Sequence, residues 1–120
     1  MKKKLNIEYH LFTKNIPAKM GKGKDLVIYR IFQEAVTNCI RHAQANNIFV
    51  NLVKKGPYVL LTVEDDGIGF EYDEISKQKN GKGKLGLVIM KERAVQVDGD
   101  CRIESQIGKG TQVIVEIPVE

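Results

Sequence analysis

Tryptophan is absent from these 120 residues, aromatic side chains amount to only 7% of the chain, and cysteine occurs twice, at Cys39 and Cys101. The scarcity of aromatics removes the base-stacking series that a binder of single-stranded nucleic acid needs, since no run of Phe or Tyr alternates with the lysines. The two cysteines stand far apart, with no Cys-x-x-Cys and no histidine at metal-ligand spacing, so they read as buried packing residues rather than a metal site. No apolar run approaches the roughly 20 residues needed to span a bilayer. A secretory pattern is missing too, because the basic start is followed by residues 5–12, which Asn6, Glu8 and His10 interrupt. The expectation is a reducing, cytoplasmic setting without direct membrane contact.

The hydrophobic content of 42% is that of an ordinary globular domain, and 120 residues allow one core but not two, so residues 1–120 are expected to form a single domain. Residues 1–4 read as its disordered or artificial start. The formal charge of +4 comes from Lys2, Lys3 and Lys4 and from lysines around two glycine-rich segments, not from one basic stripe. That distribution favours a small anionic ligand over a nucleic-acid groove.

Residues 5–12 alternate and then drift apolar, which predicts a first strand. After a loop with Pro17, Gly21 and Gly23, Asp25 is a plausible N-cap for a helix over 26–43, where Ile28, Ile31, Phe32, Ala35, Cys39 and Ala43 recur at helical spacing. Residues 47–53 and 58–64 are rich in β-formers and flank Lys55-Gly56-Pro57, the composition of a hairpin. Residues 67–84 combine glycines and charges with little apolar periodicity, and loops of that length are usually functional. A helical pattern resumes over 85–97, with Leu87, Met90, Ala94 and Val97 on one side and Gly99 as a stop. Residues 101–106 and 112–117 read as two more strands around Gly108-Lys109-Gly110-Thr111. The sum is an α+β fold: a two-layer sandwich of a mixed sheet of about five strands and about three helices.

Three constellations carry possible chemistry. Glu34, Asn38 and His42 stand at i, i+4 and i+8 on the long helix, with Arg41 beside them, and so share one stripe. A solvated helix face would satisfy the same spacing, but a carboxylate base, an amide oxygen suited to a hard cation and a cation for phosphate oxygens complement one another. Next, a strand ends in Glu64-Asp65-Asp66 followed by Gly67-Ile68-Gly69, where a carboxylate can accept from an amino group and glycines let backbone approach a flat ring. A plain turn would look the same. Finally, Gly81-Lys82-Gly83-Lys84-Leu85-Gly86-Leu87 runs into a helix, whose N-terminus and amides form an anion site, though a flexible lysine-rich loop fits equally well. It is neither a Walker A loop nor a Rossmann fingerprint, because the spacing and the preceding strand are missing.

In this order the three elements resemble the histidine-kinase-like ATPase superfamily, whose Bergerat fold is shared by histidine kinases, type II topoisomerases, Hsp90 and MutL. Glu34-x-x-x-Asn38-x-x-Arg41-His42-Ala43 is similar to its N box, Asp65-x-Gly67-x-Gly69 to its first glycine box, Gly83 to Leu87 to its second, and Gly108-x-Gly110-Thr111 to the motif before its last strand. Residues 29–35 and 90–94 look like the histidine-kinase subclass of nitrate sensors and DesK-like thermosensors. Asp66, Lys84 and Ile89 depart from the subclass pattern, which bears on the lid and on the exact subclass.

The resemblance implies an ATP-binding catalytic domain of a two-component sensor histidine kinase. In it Asp65 would accept from the adenine amino group, with Gly67, Gly69 and Thr111 completing the base site. Asn38 would ligate Mg²⁺, Arg41 and His42 would lie near the phosphates, and the backbone at Gly83, Gly86 and Leu87 would close over them as part of a lid spanning 70–84. Glu34 would be the catalytic base. The phosphoacceptor histidine would lie on a separate dimerisation and phosphotransfer domain of a longer, in some cases membrane-anchored, parent, with a response regulator downstream. The isolated domain would be monomeric and inactive in transfer without its acceptor. A serine kinase of the anti-sigma-factor type, another ATPase module of the same superfamily and a non-enzymatic nucleotide sensor are the competing readings.

Overall fold

A computed structural model describes residues 7–40, 44–69 and 82–119, the last stretch from residue 86 onward for side chains. Five strands form one sheet: β1 (Glu8–Lys14), β2 (Asn47–Lys55), β3 (Tyr58–Asp65), β4 (Asp100–Gln106) and β5 (Gly110–Pro118). Their spatial order is β1-β2-β3-β5-β4, with β1 parallel to β2 and every other neighbour antiparallel. Helices α1 (Lys24–Asn38) and α2 (Lys82–Val95) are the crossover connections, α1 from β1 to β2 and α2 from β3 to β4. The mixed α+β sandwich agrees with the sequence reading, with two helices among the described residues where about three are expected.

Period-two alternation explains the sheet. Ile48 and Val50, Val59, Leu61 and Val63, Cys101 and Ile103, and Val113, Val115 and Ile117 all point to one face and are buried. Val27, Ile28, Ile31 and Ala35 of α1 and Leu87, Met90 and Ala94 of α2 cover that face from the other side. Each large aliphatic buried this way contributes about 1.5–3 kcal/mol relative to exposure. The β2–β3 hairpin turns at Gly56-Pro57, with Lys55 opposite Tyr58. Gly56 has φ 56° and the proline ring holds its own φ negative, the pattern of a type II′ turn.

Several boundaries differ from expectation. β1 runs over Glu8–Lys14 rather than 5–12, because its register is set by pairing with β2 and not by its own alternation. Helix α1 begins at Lys24 behind Gly23 (φ 77°), so the N-cap is Gly23 and not Asp25. Asp25 falls in the first turn, where its charge meets the positive end of the helix dipole. Helix α2 begins at Lys82 instead of Leu85, so residues 82–84 are helical and not loop. Two glycines inside it each cost about 1 kcal/mol relative to alanine, and the close packing of Gly86 described below is what holds one of them there. At the other end the left-handed residue is Asp98 (φ 60°), while Gly99 is required for space: a Cβ there would stand 2.7 Å from the Glu116 carbonyl oxygen and 2.9 Å from Ile117 Cγ1. The start at 1–4 and residues 70–81 of the expected lid lie outside the described residues. No helix among the described residues is long and apolar enough to cross a membrane.

Candidate functional site

The end of β3 is the centre of one group of candidate residues. Alternation directs Asp65 inward, and it is the single buried charged residue among those described, 3% exposed. Each carboxylate oxygen has a donor: Gly67 N–H donates to Oδ1 at 2.8 Å, closing an Asx turn, and the Cys39 thiol donates to Oδ2 at 3.3 Å. Asp65 lies opposite Thr111 in the β3–β5 register. The Thr111 hydroxyl meets Ser105 Oγ at 2.9 Å, and Ser105 also donates to the Gly110 carbonyl at 3.0 Å.

The glycines after Asp65 are fixed by contact with the β4–β5 hairpin. Gly69 has φ 68°, and a Cβ on it would collide with the Gln106 carbonyl oxygen and stand 2.9 Å from that of Gly110. Gly110, at φ 83°, lies equally hard against the Asp65 carbonyl. Gly108 N–H donates to the Ile68 carbonyl at 2.6 Å. The first glycine segment and the final one, some forty positions apart in the chain, thus form one interlocked wall.

A second group lies between the helices. Glu34 and Asn38 are half-buried on α1. Gly86 of α2 faces them: a Cβ there would stand 2.9 Å from Glu34 Oε2 and 3.3 Å from Asn38 Nδ2. Gly83 occupies the first turn of α2, and the Leu87 side chain is core, 7% exposed. Arg41 and His42 lie outside the described residues. The chain passes from one group to the other at Asn38-Cys39, because the residue after Asn38 is the one that bonds Asp65.

Two residues make contacts that the sequence did not indicate. Cys39 reads as packing by composition, and only its contact shows a polar role. Burial pushes its thiol well above the ordinary range, helped by the neighbouring Asp65 charge and by their hydrogen bond, so it remains a protonated donor. Burial likewise pushes the Cys101 thiol up to about 11. Asp66, noted in the sequence as a departure from the subclass pattern, ties the end of β3 to the start of β2. Its Oδ1 accepts from the Asn46 and Asn47 amides at 2.9 Å each, and its Oδ2 accepts from Asn47 Nδ2 at 2.8 Å. These bonds, led by the Asn47 side chain, hold its carboxyl below the usual range. Asn47 Oδ1 in turn meets His10 Nε2 of β1 at 2.9 Å, and the His10 ring stacks on Phe49.

Residues 23–120 match the family described as histidine kinase-, DNA gyrase B-, and HSP90-like ATPase. An uncharacterised sensor-like histidine kinase of Chloroflexus aurantiacus is 37% identical over 85% of this chain, which covers 17% of that protein. From Bacillus subtilis, the signal transduction histidine-protein kinase/phosphatase DegS is 29% identical over 97% of the chain, which covers 30% of it, and the sensor histidine kinase ComP is 34% identical over 89%, which covers 14%. Among solved structures, the blue-light activated histidine kinase of Erythrobacter litoralis EL346 superposes with a TM-score of 0.71 over 95% of this chain and 36% of its own. Its histidine kinase domain superposes with a TM-score of 0.73 over 97% of this chain and 53% of its own, both at 23% identity. The chain thus spans under a third of the length of these curated relatives. With the match covering all but its first strand and the loop after it, this chain belongs to the family of histidine kinase-, DNA gyrase B- and HSP90-like ATPases, and the curated relatives it resembles are sensor histidine kinases.

Proposed function

We propose that the domain binds ATP with Mg²⁺ and presents the γ-phosphoryl group to a histidine on a separate dimerisation and phosphotransfer domain of its parent kinase, with a response regulator downstream. The observation that carries this reading is the meeting of a buried acceptor, Asp65, with the Glu34–Asn38 face of α1 through adjacent residues of one helix end. An adenine amino group supplies the donor that Asp65 can still accept, and Gly67, Gly69 and Thr111 frame the ring. Asn38, half-buried beside a carboxylate, offers the neutral oxygen that suits a hard cation. Magnesium held there would offset the negative charge of the phosphate groups.

The remaining roles follow from position. The first-turn amides of α2, Gly83 among them, lack intrahelical acceptors and are suited to phosphate oxygens, while Gly86 and Leu87 stand in the second turn, where they bring the helix close to Glu34 and Asn38 and anchor it in the core; Arg41 and His42 add positive charge from the N box. Glu34 is the group that polarises the incoming nucleophile. The lid spans residues 70–84, of which 82–84 form its helical end. Two free, buried thiols fit a reducing, cytoplasmic setting, and the isolated domain acts as a monomer.

The test is phosphoryl transfer from labelled ATP to the helical phosphoacceptor domain of the parent, supplied as a separate chain. Acid-labile, base-stable phosphohistidine is the expected product. Acid-stable phosphoserine on a partner protein, or binding without transfer, would overturn the histidine-kinase reading.

A further inference from the structure

The buried thiol of Cys39 has no place among the groups assigned above to base, metal or phosphates. It sits one residue past Asn38, where α1 widens into a π-type turn over residues 39–40, a distortion that recurs at functional sites. Its own N–H is already shared between the Ala35 and Val36 carbonyls. Its side chain leaves the helix and donates to Asp65 Oδ2 at 3.3 Å, while Gly67 N–H holds Oδ1 at 2.8 Å. The two donors arrive from different elements, so together they fix the rotation of the carboxylate about its own axis.

We propose that Cys39 is a positioning residue for nucleobase recognition: its thiol orients the Asp65 carboxylate so that a free lone pair faces the 6-amino group of adenine. This inference rests on the reading of Asp65 as the adenine acceptor. A thiol suits the task because it is a weak donor, which holds the carboxylate without saturating it, and because at 6% exposure it is largely withdrawn from solvent. Since Cys39 directly follows Asn38, the same turn that sets the carboxylate also sets the amide beside Glu34, and base and metal subsites move together.

Nucleotide affinities of the whole chain are to be measured for ATP and for the triphosphate of purine riboside, which lacks the 6-amino group, in the wild type and in Cys39→Ala, Cys39→Ser and Asp65→Asn. The ratio of the two affinities reads the carboxylate–amino bond alone, because a general loosening weakens both ligands equally. Asp65→Asn removes a charged acceptor and is expected to lower the preference for ATP by about tenfold or more. Cys39→Ala is expected to lower it roughly three- to tenfold, the fold-change of a single modest hydrogen bond, and Cys39→Ser, which keeps a donor, to restore most of it. Thermal midpoints of each variant establish that it is folded. A preference lost in Asp65→Asn but intact in folded Cys39→Ala overturns the role of Cys39 alone. An Asp65→Asn chain with undiminished preference overturns the adenine reading and this inference with it. If Cys39→Ala does not fold, the serine variant decides: a folded Cys39→Ser with the wild-type preference supports the donor role, and one that has lost the preference while binding both triphosphates overturns it.

Discussion

Asp65 and Asp66 are adjacent carboxylates with divergent tasks, the first the last residue of β3 and the second just past it. The first points inward and is buried, leaving acceptor capacity for a ligand; the second is exposed and spends its capacity on the Asn47 side chain and on the backbone amides of residues 46 and 47. Because those bonds hold Asp66 below its ordinary value near 3.9, they stabilise the fold most above that pH, and the stabilisation fades as pH falls through the lowered value. Asp66→Asn keeps an acceptor but loses the charge. Its thermal midpoint should therefore lie below that of the wild type at pH 7, and the gap should close as the pH drops below about 4. A gap that stays constant from pH 7 to pH 3 would show that the charge of Asp66 contributes nothing.

At the scale of elements, glycines stand where backbone meets backbone. Gly69 and Gly108 both adopt left-handed φ, 68° and 83°, yet a Cβ on Gly108 would meet nothing within 4 Å while one on Gly69 would strike the Gln106 carbonyl. Gly108→Ala should thus cost only the left-handed penalty of about 1–2 kcal/mol. Gly69→Ala must also force the first glycine segment away from the β4–β5 hairpin, and its loss should exceed about 3 kcal/mol. Urea unfolding of the two variants measures the difference, and equal losses would refute the close-packed wall. Gly86 is a third case: its missing side chain lets α2 approach Glu34 and Asn38, so helix packing and site assembly are one contact.

Over the whole molecule, the two helices cover the sheet unevenly. Ile31 of α1 is fully buried, whereas every residue of the edge strand β1 is exposed, with Leu11 at 73% although its neighbour Val50 lies on the covered face. Ile31→Ala is expected to cost roughly 2–5 kcal/mol, and Leu11→Ala less than about 0.5 kcal/mol, by chemical denaturation. A comparable loss at Leu11 would mean that β1 is packed against a layer of the fold. The parallel β1–β2 pair and the β3–α2–β4 crossover bring the ends of α1, β3 and β5 to one side of the molecule, where both groups of candidate residues lie.

The residue types and spacings that make up the candidate site are legible in the chain itself. Glu34 and Asn38 repeat at helical spacing, Asp65 ends an alternating strand, and glycines follow it, because periodicity and turn chemistry are local properties that neighbouring residues dictate. The core faces of α1, α2 and the β2–β3 hairpin were readable for the same reason. What local pattern does not contain is which distant backbone a residue will meet. The helical state of residues 82–84, the replacement of Asp25 by Gly23 at the helix start, the need for space rather than φ at Gly99, and the bond from the Cys39 thiol to Asp65 all depend on contacts between segments remote in sequence. Composition alone marks a buried cysteine as apolar filling; the packing of α1 against the end of β3 gave this one a carboxylate to hold.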